Sequence, residues 1–471
     1  MIRTVKQILI LLALVPGALS SPAFAGGYHI TFRIHGLKDT TCLIANYYAN
    51  GTYVHDTLRS DPAGKVVFSA PDTLPKGIYI VVLTEKSYFE FIVNNDKEFT
   101  METDRDNLLG KMKITGSPEN TLFYRYLAYN REKYREVEQL QDKLKKVSGN
   151  KDSAARINQK IQDISAEMNR YRLDLVNKNP GSFVAFFINA MKEPDVPEAP
   201  LLPNGRKDST FSYRYFHAHF WDGTDFTDDR LLRTPVFHNK MVKYFDKVVI
   251  QNPDSIIAEC DRMIEKCRPN PEMFKYMVWF CTNHYENPEI MGFDKIFVHI
   301  IDRYYLTHEA NWVNQAAMEN LVKKANRLRP LLLGSVAPNM IMTDTSNQLV
   351  SLYSIKSPIL ILFFWDPDCG HCELEIPKLK DFVDKNAEKY GIKVFSVCSD
   401  SSLVKRKSAI RKKGMNWINV DGPRTLTGDY HQQYDVSTTP VIYILNERKE
   451  ILAKNILTDQ VAAFIRSYFN K

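Results

Sequence analysis

Between Tyr28 and about Thr115, apolar and polar residues alternate in short runs, the period of half-buried strands. The runs Tyr28–Ile34, Lys65–Ser69, Gly77–Leu83, Tyr88–Val93 and Lys111–Thr115 are separated by turn-rich pieces. Asn50-Gly51, between two strand-like runs, predicts a hairpin, because a type I′ turn needs φ > 0 at both central positions. Residues 26–117 thus predict a small antiparallel β sandwich or barrel.

The period changes at Asn120. Ile157, Ile161, Ile164, Met168, Tyr171 and Leu175 recur at alternating spacings of four and three, an a/d seam. Val137, Leu140 and Leu144 supply a partner stripe, and Ser148-Gly149-Asn150-Lys151 breaks the two, so 120–178 predicts a helical hairpin. Pro194, Pro197, Pro200 and Pro203 mark a connector over 193–206. Beyond it, Asn252-Pro253, Asn270-Pro271 and Asn287-Pro288 each precede a helical pattern. Asn is a favoured N-cap and Pro a favoured first helical residue, so each pair predicts a helix start within packed helices over 210–330. The whole of 118–333 reads as helical.

From Gly334 to Lys471 strand and helix alternate. Pro358–Trp365, Ile392–Cys398 and Pro440–Leu445 read as strands, with Leu374–Asn386 and Leu403–Lys413 as helices between them. Such alternation predicts a sheet covered by helices. The chain as a whole is a multidomain α+β protein: β sandwich or barrel, all-α middle and C-terminal α/β domain.

Cys369-Gly370-His371-Cys372 falls between the first of these strands and the helix that follows. Its first sulfur therefore sits at a helix N-terminus, where unpaired N–H groups and the helix dipole favour a thiolate. A dithiol so placed can attack a disulfide and then resolve the mixed disulfide.

Composition adds the compartment. The N-terminal 25 residues carry Arg3 and Lys6, the apolar run Ile8–Val15 and Ala23-Phe24-Ala25, which predict a signal peptide. The formal charge of +7 drops to +5 without those two cations, too mild an excess to argue for nucleic acid. The densest basic stretch, Lys405–Lys413, has six Lys/Arg in nine residues and reads as a solvated helix face. Cys42, Cys260, Cys267, Cys281 and Cys398 read as buried thiols, with a Cys267–Cys281 bridge as the alternative. His217-Ala218-His219 and Cys281-Thr282-Asn283-His284 lack a second half at metal-ligand spacing, so no metal is expected. A zinc site would need a second ligand pair, and covalent haem attachment a His where Glu373 stands.

Residues 334–471 resemble the thioredoxin superfamily, and within it the TlpA/ResA-like branch of exported thiol–disulfide oxidoreductases. The resemblance rests on Trp365 four before the first cysteine, the Cys369–Cys372 motif, Glu375, Pro377, Thr439-Pro440 and Gly334-Ser-Val-Ala-Pro338. It implies a thioredoxin-like fold with Cys369 as nucleophile and Cys372 as resolving thiol. It also implies that Glu375 manages the Cys372 proton, His371 adds positive charge, and Thr439 with a cis Pro440 lies against the disulfide. Trp365 and Pro377 support the site. Two departures stand out: Phe363 occupies the position of thioredoxin's buried aspartate, and Asp368, with Asp366 nearby, places carboxylates beside Cys369 where an aromatic residue is common.

The expected function is exported thiol–disulfide exchange, as a reductase of envelope protein disulfides. The Cys369–Cys372 disulfide is the redox centre and no other cofactor is expected. The expected location is the periplasm or cell envelope, with no transmembrane segment in the mature chain. The resemblance further implies a membrane thiol-relay partner as electron donor. The alternative is an envelope binding or scaffold protein whose β and helical domains recognise a partner, the redox domain being secondary.

Overall fold

The computed structural model describes residues 27–84, 87–147 and 150–470. The expected signal peptide at 1–25 lies outside the described residues. Two compact units are present: residues up to 250 with 265–274, and residues 251–264 with 275–471.

The first unit begins with eight strands: β1 (Tyr28–His35), β2 (Thr41–Tyr48), β3 (Gly51–Arg59), β4 (Lys65–Ala70), β5 (Gly77–Thr84), β6 (Ser87–Val93), β7 (Glu98–Asp104) and β8 (Lys113–Thr115). They form two four-stranded sheets, ordered β4-β1-β7-β8 and β3-β2-β5-β6. Ile30, Phe32, Phe68, Ile78, Val81 and Phe91 fill the space between them. The expected all-antiparallel pairing fails at one place. β1 runs parallel to β7, a strand the alternation did not mark, while every other pair in these sheets is antiparallel.

The β2–β3 hairpin forms one residue earlier than expected. Ala49 takes the positive φ (54°), and Gly51 already pairs with Tyr48 inside the ladder. The reason lies outside the hairpin: the Ala49 N–H donates to the Leu232 carbonyl at 2.9 Å, which fixes the turn around Ala49-Asn50.

Helices α1 (Pro118–Lys146) and α2 (Lys151–Lys178) form the long hairpin. Ser117 and Asn150 cap them through side-chain oxygens. Of the expected a/d seam, Met168 and Leu175 are buried, whereas Ile157, Ile161 and Ile164 are only half-buried. The seam is thus a core near the sandwich and a wetter contact toward the tip. Further helices follow: α3 (Phe183–Met191), α4 (Phe211–His219), α5 (Phe237–Lys243), α6 (Pro253–Cys267), α7 (Pro271–Tyr285), α8 (Asp294–Ile300) and α9 (Gln315–Leu328).

Asn252 and Asn270 accept hydrogen bonds from first-turn N–H groups of α6 and α7, as the Asn-Pro pairs predict. Asn287-Pro288 opens no helix. Its Oδ1 accepts from Lys324 Nζ at 2.7 Å, so the capping oxygen is engaged on α9, and the next helix waits until Asp294. Among the described residues no helix is long and apolar enough to cross a membrane.

The second unit contains a seven-stranded sheet ordered β10-β9-β13-β12-β11-β14-β15. Its strands are β9 (Ile341–Asp344), β10 (Leu349–Ser351), β11 (Ile359–Trp365), β12 (Ile392–Cys398), β13 (Ile418–Thr425), β14 (Val441–Asn446) and β15 (Ile451–Lys454). The helices α10 (Gly370–Tyr390), α11 (Leu403–Lys413), α12 (Tyr430–Gln433) and α13 (Thr458–Phe469) complete it. Separate hydrophobic clusters cover the two faces, so both sides of β11 are buried, which is why its seven residues read as an unbroken apolar run. On the β15 side, Lys454 of the sheet and Asp294 of α8 form a buried ion pair at 2.5 Å.

Candidate active site

Interior strand β11 delivers the chain to the reactive turn. It pairs in parallel with β12 and antiparallel with β14, and both its faces are sealed. Past Trp365 the chain tightens: the Asp368 N–H donates to Asp366 Oδ1 at 2.8 Å and the Cys369 N–H to the Asp366 carbonyl at 3.3 Å. Cys369 is then itself the N-cap of α10, with extended φ/ψ of −82° and 115°. Its Sγ accepts from the Cys372 N–H at 3.3 Å. The helix therefore starts at Gly370, four residues before the apolar period becomes visible.

The two sulfurs differ sharply. Cys369 is half-buried, and Cys372 is 1% exposed. Burial pushes the Cys369 thiol up, but hydrogen bonds from the Cys372 thiol, the Thr439 side chain and the N–H groups of Cys372 and His371 outweigh it. Its pKa falls below the ordinary thiol value. Burial, reinforced by the neighbouring Cys369, pushes Cys372 up to about 12. One thiol is thus poised to ionise and its neighbour to hold a proton.

The Thr439-Pro440 peptide is cis and precedes β14. The Cys369 thiol donates to the Thr439 carbonyl at 3.2 Å. Trp365 is fully buried in the same cluster as Cys372, and Pro377 is exposed on the second turn of α10. His371 is exposed and reaches the Cys369 sulfur through its backbone N–H. Phe363, at the departure from thioredoxin's aspartate, packs edge-on against Trp417.

Glu375 is buried on α10, three residues after Cys372. One carboxylate oxygen accepts from the Thr458 N–H at the start of α13 at 2.9 Å, and the other pairs with Lys378 Nζ at 2.9 Å. Burial would raise its pKa, but these partners lower it, so the group is a carboxylate at neutral pH. Its hydrogen bonds tie α10 to α13, and none of them runs to a cysteine.

Two of the three carboxylates beside the dithiol are ion-paired. Asp368 pairs with Lys405 Nζ at 2.7 Å, Glu373 with Lys413 Nζ at 3.3 Å, and Asp366 accepts from the Ser399 hydroxyl. Lys405, Lys413, Ser399 and Thr458 escaped the sequence reading. The only signal was the basic run Lys405–Lys413, and nothing in its pattern says that it flanks the cysteines.

All seven cysteines are free thiols. The alternative Cys267–Cys281 bridge is not formed; Cys281 instead meets the buried Cys260 thiol through a side-chain hydrogen bond. Cys398, buried opposite Trp365 in the β11–β12 register, is pushed up to about 12 by burial. His217 contacts the Tyr244 hydroxyl at 3.2 Å and His219 the Asp222 carboxylate at 2.8 Å, so the two histidines of that motif serve different partners.

A sheet with β11 in its interior, a Cys-x-x-Cys at the next helix N-terminus and a cis-proline peptide against the first sulfur define a thioredoxin-like domain. Residues 333–454 match the AhpC/TSA family. Residues 28–123 and 145–327 match domains of unknown function, DUF4369 and DUF5106. The thiol-disulfide oxidoreductase ResA of Bacillus subtilis (strain 168) is 25% identical over 138 residues, covering 29% of this chain and 74% of the relative. ResA of Bacillus anthracis is 23% identical over 140 residues, 30% of this chain and 78% of its own.

A solved domain of a "possible thiol-disulfide isomerase" from Cytophaga hutchinsonii is 39% identical. The match covers 30% of this chain and 95% of that one, with a TM-score of 0.28. A thioredoxin-like protein from Bacteroides caccae is 18% identical, covering 58% and 99%, with a TM-score of 0.45. Residues 333–454 are thus a thioredoxin-like domain that matches the AhpC/TSA family and is similar to thiol-disulfide oxidoreductases named ResA.

Proposed function

We propose that the protein is exported and reduces disulfide bonds of cell-envelope proteins through Cys369 and Cys372. The observation that carries this reading is the asymmetry of the pair, a half-exposed sulfur with a lowered pKa beside a buried one raised to about 12. The Cys369 thiolate attacks one sulfur of a substrate disulfide; the S–S bond breaks, a mixed disulfide forms and a substrate thiolate leaves. Cys372 then loses its proton and attacks the Cys369 sulfur. The second substrate thiol is released and Cys369–Cys372 becomes the disulfide. Two electrons and two protons from a membrane thiol relay restore the dithiol.

Glu375 acts here as a positioning residue rather than a proton carrier. A low-pKa carboxylate bonded to the α13 N-terminus holds α10, and with it Cys372, in place. The reductive direction is supported by charge. Oxidants of this type owe their potential to a strongly stabilised reduced form. Around Cys369 burial opposes the hydrogen bonds that favour its thiolate, and the nearby Asp366 takes a hydroxyl rather than a cation as partner, so the dithiol is stabilised only in part.

Insulin-disulfide reduction by the full-length protein tests the assignment. Cys369→Ser abolishes it, and Cys372→Ser accumulates a mixed disulfide with substrate; activity persisting in Cys369→Ser contradicts the reading.

The binding alternative draws support from a cavity of about 710 Å³ in the first unit. Tyr48, His55, Tyr79, Arg233 and Glu272 line it, with Tyr48 donating to Glu272 at 3.0 Å. Full-length Cys369→Ser that still captures a defined envelope partner, and loses it when Arg233 is replaced, favours that reading.

A further inference from the structure

Within the second unit, away from the reactive motif, two further sulfurs meet. Cys260 on α6 and Cys281 on α7 are both fully buried, and the Cys260 thiol is hydrogen-bonded to Cys281. The contact sits between two apolar stripes. On α6, Ile256 precedes Cys260 by four residues, and Met263 and Ile264 follow it by three and four. On α7, Met277 and Val278 precede Cys281 by four and three, and all five of these side chains are fully buried. The turn that carries Cys281 is fixed from a second side. The Thr282 hydroxyl bonds the Val278 carbonyl at 2.7 Å and meets the Tyr305 hydroxyl at 2.9 Å.

A thiol is a weak hydrogen-bond donor, so the pair gains little from its contact in an apolar interior. A disulfide requires side chains that point at one another across a short gap, and a thiol–thiol hydrogen bond already supplies both. We propose that Cys260 and Cys281 are a disulfide site, a buried bond that joins α6 to α7 when the chain folds in an oxidising compartment. The proposal rests on the export proposed above and adds a second, structural sulfur pair to the reactive one. The bond forms on the folding chain, before the helices seal the two sulfurs. One cysteine thiolate attacks a low-molecular-weight disulfide such as glutathione disulfide, releasing one thiol and leaving a mixed disulfide. The other cysteine attacks that mixed disulfide and expels the second thiol. The pair loses two electrons and two protons, and the glutathione disulfide takes them up as two thiols. Burial then protects the bond, because no Cys369 thiolate, of this copy or another, reaches a sulfur with no exposed surface.

The test refolds reduced, denatured full-length protein in a glutathione redox buffer. Free thiols are then blocked in denaturant and the sulfurs mapped by mass spectrometry after proteolysis. A Cys369→Ser, Cys372→Ser background keeps the reactive pair out of the count. The expected product is one cross-linked peptide pair joining Cys260 to Cys281, lighter by two hydrogens than the two peptides apart. Its thermal midpoint should lie about 5–10 °C above that of the same protein refolded under reductant, since the bond closes a loop of about 20 residues. In the native protein the bond should resist dithiothreitol and yield to it only in denaturant. Cys260→Ala, which cannot form the bond, should show the same midpoint after both refolding conditions.

Native protein that leaves the glutathione buffer with Cys260 and Cys281 both blocked as thiols overturns the site without reference to Cys260→Ala. So does a bond from Cys281 to Cys267 instead. A protein that forms the Cys260–Cys281 bond on refolding but is found in the cytoplasm upholds the site and contradicts the export reading alone.

Discussion

The N-terminal sandwich and the C-terminal sheet are both closed apolar cores, yet they treat buried polar groups differently. Against the sandwich, Asn120 of α1 is fully buried and bonds both the N–H and the carbonyl of Ile92 in β6, at 2.7 and 2.9 Å, while its own N–H donates to the Ser117 cap. Among the described residues of β1–β8, no buried side-chain nitrogen or oxygen lacks a partner. In the C-terminal sheet, Trp365 Nε1, Ser396 Oγ and the Tyr430 hydroxyl are buried without one. Arg406 and Asp421, both 1% exposed, rely on a single close contact with each other plus Arg424. These exceptions cluster on β11–β13 and the elements following their C-terminal ends, the end that carries the dithiol. Buried polar groups are nearly always satisfied in folded proteins; unpartnered atoms also occur at Asn130, Tyr171, Arg172, Trp221 and Thr224 of the helical region, so the contrast holds between the two sheet cores alone.

The sharpest way to break that comparison is to remove one partner of each buried arrangement. Asp421→Asn leaves Arg406 charged and unpaired in the core, and should lower stability by about 3–5 kcal/mol, read from denaturant unfolding of the C-terminal transition. Asn120→Ala, which strands the Ile92 backbone groups, should cost about 2–3 kcal/mol in the N-terminal transition. An Asp421→Asn protein as stable as wild type would remove the claim that the C-terminal core holds a strained electrostatic arrangement.

Glu375→Gln is the next smaller step. Loss of the charged acceptor at the α13 N-terminus should cost about 1–2 kcal/mol. The sign follows from its lowered pKa: the carboxylate stabilises the fold above the unfolded pKa of about 4.3, and that contribution disappears as pH falls through the lower folded value. Wild type and variant should therefore differ at pH 7 and converge in acid. A difference that grows in acid would contradict the geometry. Smallest of all, Lys405→Ala should change stability by less than about 1 kcal/mol, since its pair is exposed. It should nonetheless raise the pH midpoint of Cys369 alkylation, because Asp368 is left uncompensated beside the sulfur.

The same contrast governs what could be read from sequence. Alternation located β1, β4, β5 and β6 because their partners are apolar and local. It missed β7, whose partner β1 lies some 70 residues earlier and whose apolar alternation over Glu98–Asp104 consists of Phe99 and Met101 alone. Cys369 at a helix N-terminus was legible from the apolar run before it and the helical period after it. The bond from the Thr458 N–H to Glu375 was not, because that partner is 83 residues away and is a backbone group that any residue could supply. The α11 cations were visible as composition but not as neighbours of the motif. Parallel crossovers bring them there, and charge patterning carries no record of topology.

The account stands on the unequal sulfurs. Its most direct test is the pH dependence of iodoacetamide alkylation in full-length Cys372→Ser and Cys369→Ser proteins, followed by mass spectrometry. Cys369 should react with a midpoint below the ordinary thiol value of about 8.5, and Cys372 should stay unreactive up to the most alkaline pH at which the fold survives. Two indistinguishable midpoints, or a Cys372 that alkylates first, would contradict the assignment of Cys369 as attacking and Cys372 as resolving thiol.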